Sequence, residues 1–440
     1  MTQIANFPFF ELEFDKFAAP VQPEQITEVL DGITNLGLTD LVIISHGWNN
    51  DMDEARRLYI KIMTLLDTEL NRQNKKFGVL GIFWPSKKFA EKDLIPGGAA
   101  GIDPKENDAI IEQAAKLKGF FDSDDADEHL QTIQDVLELE KTGDAEEFEL
   151  LDALNKLFGP ITDNPSPQPD EDAIADFKKT DMGQLLIRLD VPEDEPLPEA
   201  GSGGATDIDG IIGVGGADGA SAGIGSFLSG IKNGLFNILN LATYYQMKDR
   251  AGKVGMQALN PIIHKIQDIE PDIRLHLVGH SFGARLVTAS IAGEKPEDAV
   301  FVQSLILLQA AFSHYGFAVN YIPGQNGLFR RVIEDGNIKG IMVVSHSIKD
   351  KAVGYAYPLA SRVARQIAAA FGGKDDPYGG LGANGALKSG AIDTINMVLG
   401  SQYDFNAGAI YNLDAETTIS GHGDIDNKAV AEVISAVINL

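Results

Sequence analysis

The 440-residue chain contains no cysteine. Disulfides, thiolate metal sites and a cysteine nucleophile are thereby excluded, while the compartment stays open. No apolar run approaches the roughly 18 residues that a membrane-spanning helix needs. The first residues, MTQIANFPFFELEFDKF, lack a basic segment followed by an apolar one. No secretory signal is therefore expected, and the cytoplasm is the default location, with secretion left open. Basic residues are scarce: 36 Lys and Arg face 64 Asp and Glu, a formal net charge of −28. Such a surface repels phosphate backbones and anionic membranes, so nucleic acid is not an expected partner. Salt adaptation or one acidic insertion would each produce that charge.

Several motifs are missing as well. The chain has no G-x-x-x-x-G-K-S/T, which excludes a Walker-type phosphate loop. It has neither H-E-x-x-H nor a Cys/His cluster, so no metal and no cofactor is expected. The acidic run 122–129, DSDDADEH, lacks the glycine and terminal glutamate of a calcium loop and reads as a solvated charge run. The glycine-rich stretch 201–230 does not follow a strand, so it is no dinucleotide fingerprint.

What is present is an ordinary globular composition, 44% hydrophobic. The length suits one large α/β domain with an elaboration, or two domains. Residues 9–15 alternate as a first strand and 23–36 have helical period. Leu41 to Ile44 and Gly78 to Trp84 are apolar throughout, as strands of a parallel sheet are when both faces are covered. Asp51 or Asp53 caps a helix after the first of these. A helix is expected from Leu235 to about Ile269, broken near Asn260-Pro261, then strands at Phe301 to Ala311 and Gly340 to Ser345. A helix over 359–371, a glycine-rich loop over 372–390, a last strand near Ala409 to Leu413 and a final helix from Asn427 complete the chain. Alternating strands and helices imply a doubly wound, mostly parallel sheet. Residues 1–87 and 233–440 form its core. Residues 88–232 interrupt the rhythm and read as an insertion: helical and acidic first, rich in Pro, Asp and Gly later. A cap over the site is one reading of it, and a solvated spacer is the other.

The chain is organised around 273–292, IRLHLVGHSFGARLVTASIA. An apolar strand breaks at Gly279-His280-Ser281-Phe282-Gly283 and a helical pattern follows at once. G-x-S-x-G between strand and helix is a nucleophile elbow, in which flanking glycines let a strained turn lift the serine clear of the sheet. A serine hydroxyl needs a base within hydrogen-bond reach and a carboxylate to orient that base. Of the 8 histidines, His264 and His276 precede the elbow, His129 lies in the insertion, and His280 is inside the elbow. His46, His314, His346 and His422 remain. The order Ser, then Asp, then His places the base at His422, in the glycine-flanked loop SGHGDI after the last strand. Asp350 follows the preceding strand and is the expected acid; Asp335, Asp375, Asp376 and Asp404 are less well placed. The developing oxyanion needs fixed donors. The backbone N–H of Phe282 is one, and that of Trp48, after His46-Gly47, is the other, with Asn49 in reserve. His46 reads as structural. Trp48, Asn49, His346 and Tyr355 are candidates for the substrate pocket.

The segments SHGWNN, GVLGIFWPS, LVGHSFGARLV, VVSHSIKDKA and SGHGDI, in this order, resemble α/β-hydrolase-fold serine hydrolases. The likeness is greatest to bacterial members with HG-aromatic-Asn and GHSxG motifs. It covers roughly 38–90 and 235–440 and explains nothing about the insertion. The resemblance implies a carboxylesterase acting through an acyl-enzyme on a small-molecule ester. Lipases, phospholipases and amidases share the machinery. A binding protein that kept the fold and lost turnover is the reading from another class. Oligomeric state is not legible.

Overall fold

The computed structural model describes residues 2–48, 50–86, 107–139, 143–162, 181–189, 232–350, 352–353 and 379–440. The expected helix over 359–371, the first part of the loop 372–390 (372–378) and the glycine-rich stretch 201–230 lie outside the described residues. The described chain is an α/β protein with a large mixed, mostly parallel sheet. Its strands are β1 Thr2–Ile4, β2 Phe7–Glu13, β3 Asp40–Ser45, β4 Phe77–Phe83, β5 Arg274–His280, β6 Val302–Leu308, β7 Ile338–His346, β8 Ile392–Asn396 and β9 Ile410–Asp414. These nine strands lie in the order β1-β2-β4-β3-β5-β6-β7-β9-β8. The β1/β2 pair is antiparallel and every other neighbouring pair is parallel.

The helices are α1 Glu24–Leu36, α2 Met52–Glu69, α3 Asn107–Leu117, α4 Ala126–Glu138, α5 Asp144–Thr162, α6 Met182–Leu189, α7 Lys232–Lys253, α8 Asn260–Ile269, α9 Phe282–Ala292, α10 Arg330–Glu334, α11 Leu381–Asn384 and α12 Lys428–Ile438. Successive side chains of a strand face opposite ways, so the central strands feed two cores. Leu41, Ile43, Leu275, Leu277, Leu305 and Leu307 join the larger one, with α1 and α7 to α9. Val42, Ile44, Val278, Ile306 and Leu308 join the other, with α2 and α12. Burial on both faces is why β3 and β4 read as unbroken apolar runs.

Asp51, not Asp53, caps α2: its carboxylate accepts from the Glu54 amide at 2.8 Å, and the Glu54 side chain accepts from the Asp51 amide at 2.9 Å. Two expectations need correcting. The first strand is preceded by β1, which pairs Ile4 with Phe7 across a tight turn. The long helix before the elbow does not break at Asn260-Pro261. A π-helical turn, Val254–Leu259, carries α7 directly into α8. Pro261 is the second residue of α8, directly after the π-helical turn. The wide turn also brings Gly255 against α9: a Cβ there would lie 2.3 Å from the Leu286 carbonyl oxygen.

The described parts of the 88–232 segment are helical and share the larger core. Leu130, Ile133, Leu150, Leu154, Leu185 and Leu186 belong to one cluster with Leu235, Ile238 and Leu239 of α7. Arg250 of α7 ties this layer down. Its guanidinium reaches Asp122 and the Phe120 carbonyl at 2.6 Å each, and the Pro85 carbonyl at 2.9 Å. Asp122 is thus an ion-pair partner, whereas Asp124, Asp125 and Asp127 of the same acidic run are exposed as expected. Among the described residues no helix is long and apolar enough to cross a membrane.

Candidate active site

The strand-to-helix turn after β5 holds Ser281 at φ 55° and ψ −124°, a region that side chains other than glycine rarely occupy. Both flanking glycines are demanded by backbone. A Cβ on Gly279 would stand 2.4 Å from the Cα of Ala284, and one on Gly283 would stand 2.3 Å from the His46 carbonyl oxygen. The strained residue is pinned on both sides. Its N–H donates to the Leu308 carbonyl at 3.1 Å, and its carbonyl accepts from Ala284 at 3.1 Å and Ala311 at 3.2 Å. Strain of this kind persists only where the surroundings over-determine it.

Three residues from three separate loops at the carboxyl edge of the sheet meet here. The Ser281 Oγ lies 2.8 Å from His422 Nε2, and His422 Nδ1 lies 2.8 Å from Asp350 Oδ2. Asp350 is fully buried. Its Oδ1 accepts from the Val353 amide at 3.0 Å, and its Oδ2 also accepts from Gln309 Nε2 at 3.1 Å. Gln309 follows β6 at φ 46°, and its Oε1 accepts from the Ser345 hydroxyl at 2.8 Å. A carboxylate at Nδ1 keeps that nitrogen protonated, which leaves the Nε2 lone pair facing the serine hydroxyl. The His422 loop is wound around Asp424, which accepts from the Ser420 amide at 2.9 Å and the Ser420 hydroxyl at 2.8 Å.

The opposite wall is the loop after β3. A Cβ on Gly47 would lie 2.5 Å from the Ser281 Cβ, so only glycine allows this approach. The Gly47 carbonyl accepts from His46 Nδ1 at 2.9 Å, Ser86 Oγ at 3.1 Å and Asn50 Nδ2 at 3.3 Å. In a trans peptide N–H and C=O point opposite ways, so these donors turn the Trp48 N–H away from themselves. The Phe282 N–H is the first amide of α9 and has no carbonyl of its own helix to bond. The Trp48 ring packs 5.9 Å from Phe282 and 6.3 Å from Tyr244, between ring centroids. Asn49 and Tyr355 lie outside the described residues. His346 ends β7 at the same edge, where its carbonyl accepts from the Ala415 amide at 2.9 Å. It takes no part in the Ser281–His422–Asp350 line.

Four residues around the site carry no assignment from the sequence: Gln309, Tyr244, Ser86 and His280. The motif W-P-S could have pointed to Ser86; nothing local points to the other three. His46 is fully buried. Its backbone N–H donates to the Tyr59 hydroxyl oxygen at 2.8 Å, and its ring stacks on Trp84 at 5.5 Å. A second Ser-His-Asp line exists within the sheet. Asp40 Oδ1 lies 3.1 Å from His276 Nε2, and His276 Nδ1 lies 2.9 Å from Ser304 Oγ. All three are at most 1% exposed, so no substrate can reach them. The two lines differ in access and in the ring nitrogen that faces the carboxylate, Nδ1 in His422 and Nε2 in His276.

Burial pushes three of these imidazoles down: His46 to about 4, His280 to about 3, and His276 in the same direction. An unfolded histidine titrates near 6.5, so the unfolded chain takes up these protons first as the pH falls. The stabilisation is complete above pH 6.5 and is lost on descending towards about 4 for His46 and about 3 for His280. Each contributes a slope of up to about 1.4 kcal/mol per pH unit inside its window. The unfolding free energy in urea is expected to drop by about 2 to 3 kcal/mol between pH 6 and pH 5. A flat profile over that interval would mean that the rings are protonated in the fold.

The chain matches no protein-family model, no curated protein and no solved structure. Among the described residues no group of three or more His, Asp or Glu side chains is arranged to hold a metal ion. What the arrangement can do chemically follows from its donors and acceptors: the Ser281 hydroxyl faces His422 Nε2, whose other nitrogen is held by Asp350.

Proposed function

We propose that this protein is a serine hydrolase of the α/β-hydrolase fold that cleaves carboxylic esters through an acyl-enzyme. The observation that carries the reading is the unbroken line from Ser281 Oγ through His422 to buried Asp350, at 2.8 Å for each step. Its chain order, nucleophile then acid then base, is that of the fold. Ser281 Oγ attacks the ester carbonyl while His422 Nε2 takes its proton. The tetrahedral oxyanion is held by the Phe282 and Trp48 amides. Collapse expels the alcohol, which leaves with the proton from His422. Water, deprotonated by the same nitrogen, then attacks the acyl-serine and releases the acid and free Ser281. Asp350 holds the imidazole in the working tautomer and stabilises its charged form.

The helices of the 88–232 segment rest on α7, and α7 delivers Tyr244 to the Trp48–Phe282 cluster, with Tyr244 and Phe282 rings 5.3 Å apart. This supports reading the segment as a cap whose support helix forms one wall of the acyl pocket. The test is a fluorophosphonate probe followed by mass mapping of the adduct, then nitrophenyl esters of rising chain length. A single adduct on Ser281 with ester turnover is the expected result. Folded protein that takes no adduct, or takes it on another serine, removes the proposal. The chain-length profile separates an esterase from a lipase.

A further inference from the structure

His280, the residue before the candidate nucleophile, is idle in the scheme above, yet its surroundings are specific. It is 7% exposed at the last position of β5, and its ring lies 4.9 Å from that of His422. Its Nε2 is 2.9 Å from the main-chain carbonyl of His422. A carbonyl only accepts, so Nε2 carries the proton and Nδ1 is left with a lone pair. That Nδ1 has no hydrogen-bond partner among the described residues. It faces Gly47, where a Cβ would come within 3.0 Å of it. The ring therefore fills the space between the Gly47 loop and the His422 loop and bonds only to the latter.

The His422 loop needs such an anchor. Glycines flank the residue on both sides and the imidazole is partly exposed, at 19%. Asp350 and Ser281 hold the side chain at its two ring nitrogens, whereas the His280 bond is made to the main chain of His422 itself. A displacement near 1 Å at a reacting group can lower a rate by about 10²-fold. We propose that His280 is a positioning residue: its Nε2–H fixes the main chain of His422, and so holds the base in line with Ser281 and Asp350. This deepens the hydrolase reading and rests on it. A neutral ring at this place also suits the chemistry, because His422 becomes positively charged in the transition state and a second charge beside it would oppose that.

Three variants test the idea. His280→Phe keeps the ring and removes the donor. His280→Asn keeps a donor on a shorter arm that stops short of the His422 carbonyl. His280→Gln carries an amide N–H out to about the reach of Nε2. The expected result is kcat lowered by about 10- to 100-fold in Phe and Asn with KM within about twofold, and kcat restored to within about threefold in Gln. Fluorophosphonate labelling of Ser281 should slow in parallel. Folding is checked by circular dichroism, and if Phe fails to fold, the Asn and Gln pair decides. Wild-type kcat in Phe or Asn, or equal loss in all three, overturns the positioning role while the hydrolase reading stands. Wild type that takes no adduct at Ser281 overturns both.

Discussion

Ser281→Ala is expected to lower ester turnover by about 10⁶-fold while leaving the fold intact. On the proposed mechanism the size follows from three groups acting as one unit. Without the hydroxyl, His422 has no proton to take and Asp350 no imidazolium to stabilise, so nearly the whole contribution goes with one atom. The residual rate would come from the two amides and from binding. The same position makes a second, opposite prediction about stability. At φ 55° a Cβ is strained, and alanine keeps that Cβ. Glycine does not. Ser281→Gly should therefore unfold at higher urea than Ser281→Ala, by about 1 kcal/mol after allowing for the greater freedom of glycine in the unfolded chain. Both variants lack the hydroxyl, so its loss cancels in the comparison. Steady-state rates on a nitrophenyl ester and urea midpoints measure the two effects. Turnover within about tenfold of wild type in Ser281→Ala would remove Ser281 from the chemistry.

The elbow and the sheet centre were legible because their causes are local. Unbroken apolar runs at β3 and β4 reflect burial on two faces, and the glycines around Ser281 reflect backbone contacts within one turn. The meeting of Ser281, Asp350 and His422 followed from chain order and from their places after successive strands, with no pairwise signal needed. Elements set by tertiary contact were not legible. The β8 strand lies at the sheet edge with Ile392 41% exposed, so it shows no buried alternation. The π-turn sets Gly255 against the Leu286 carbonyl, a neighbour 31 positions away by number. Gln309 at φ 46° reads in sequence as one more polar residue after a strand, and only the structure shows it bonded to Asp350. Asp122, grouped by composition with its exposed neighbours, is the one member of that run turned inward to Arg250. In each case the deciding partner is remote in sequence.

Removal of the acid should have the second largest effect. Asp350→Ala is expected to lower kcat by about 10⁴-fold, less than loss of the nucleophile because the serine, base and amides remain. Three donors converge on this carboxylate: His422 Nδ1, Gln309 Nε2 and the Val353 amide. Alanine leaves all three facing an empty buried space, and His422 is free to turn or to move its proton to Nε2. Asparagine separates geometry from charge. Gln309 cannot flip to present its oxygen, because its Oε1 accepts from Ser345 and its Nε2 also donates to the Gly382 carbonyl at 3.3 Å. The asparagine carbonyl is therefore favoured on the Oδ2 side, where two donors wait, with its amide opposed to the single Val353 N–H. That orientation keeps the His422 proton on Nδ1 and loses the negative charge and the Val353 bond. Asp350→Asn should consequently turn over faster than Asp350→Ala and slower than wild type. Equal rates for Asn and Ala would show that charge, with no share for tautomer control, is what Asp350 supplies. A rate within about tenfold of wild type in Ala would place the orienting carboxylate elsewhere.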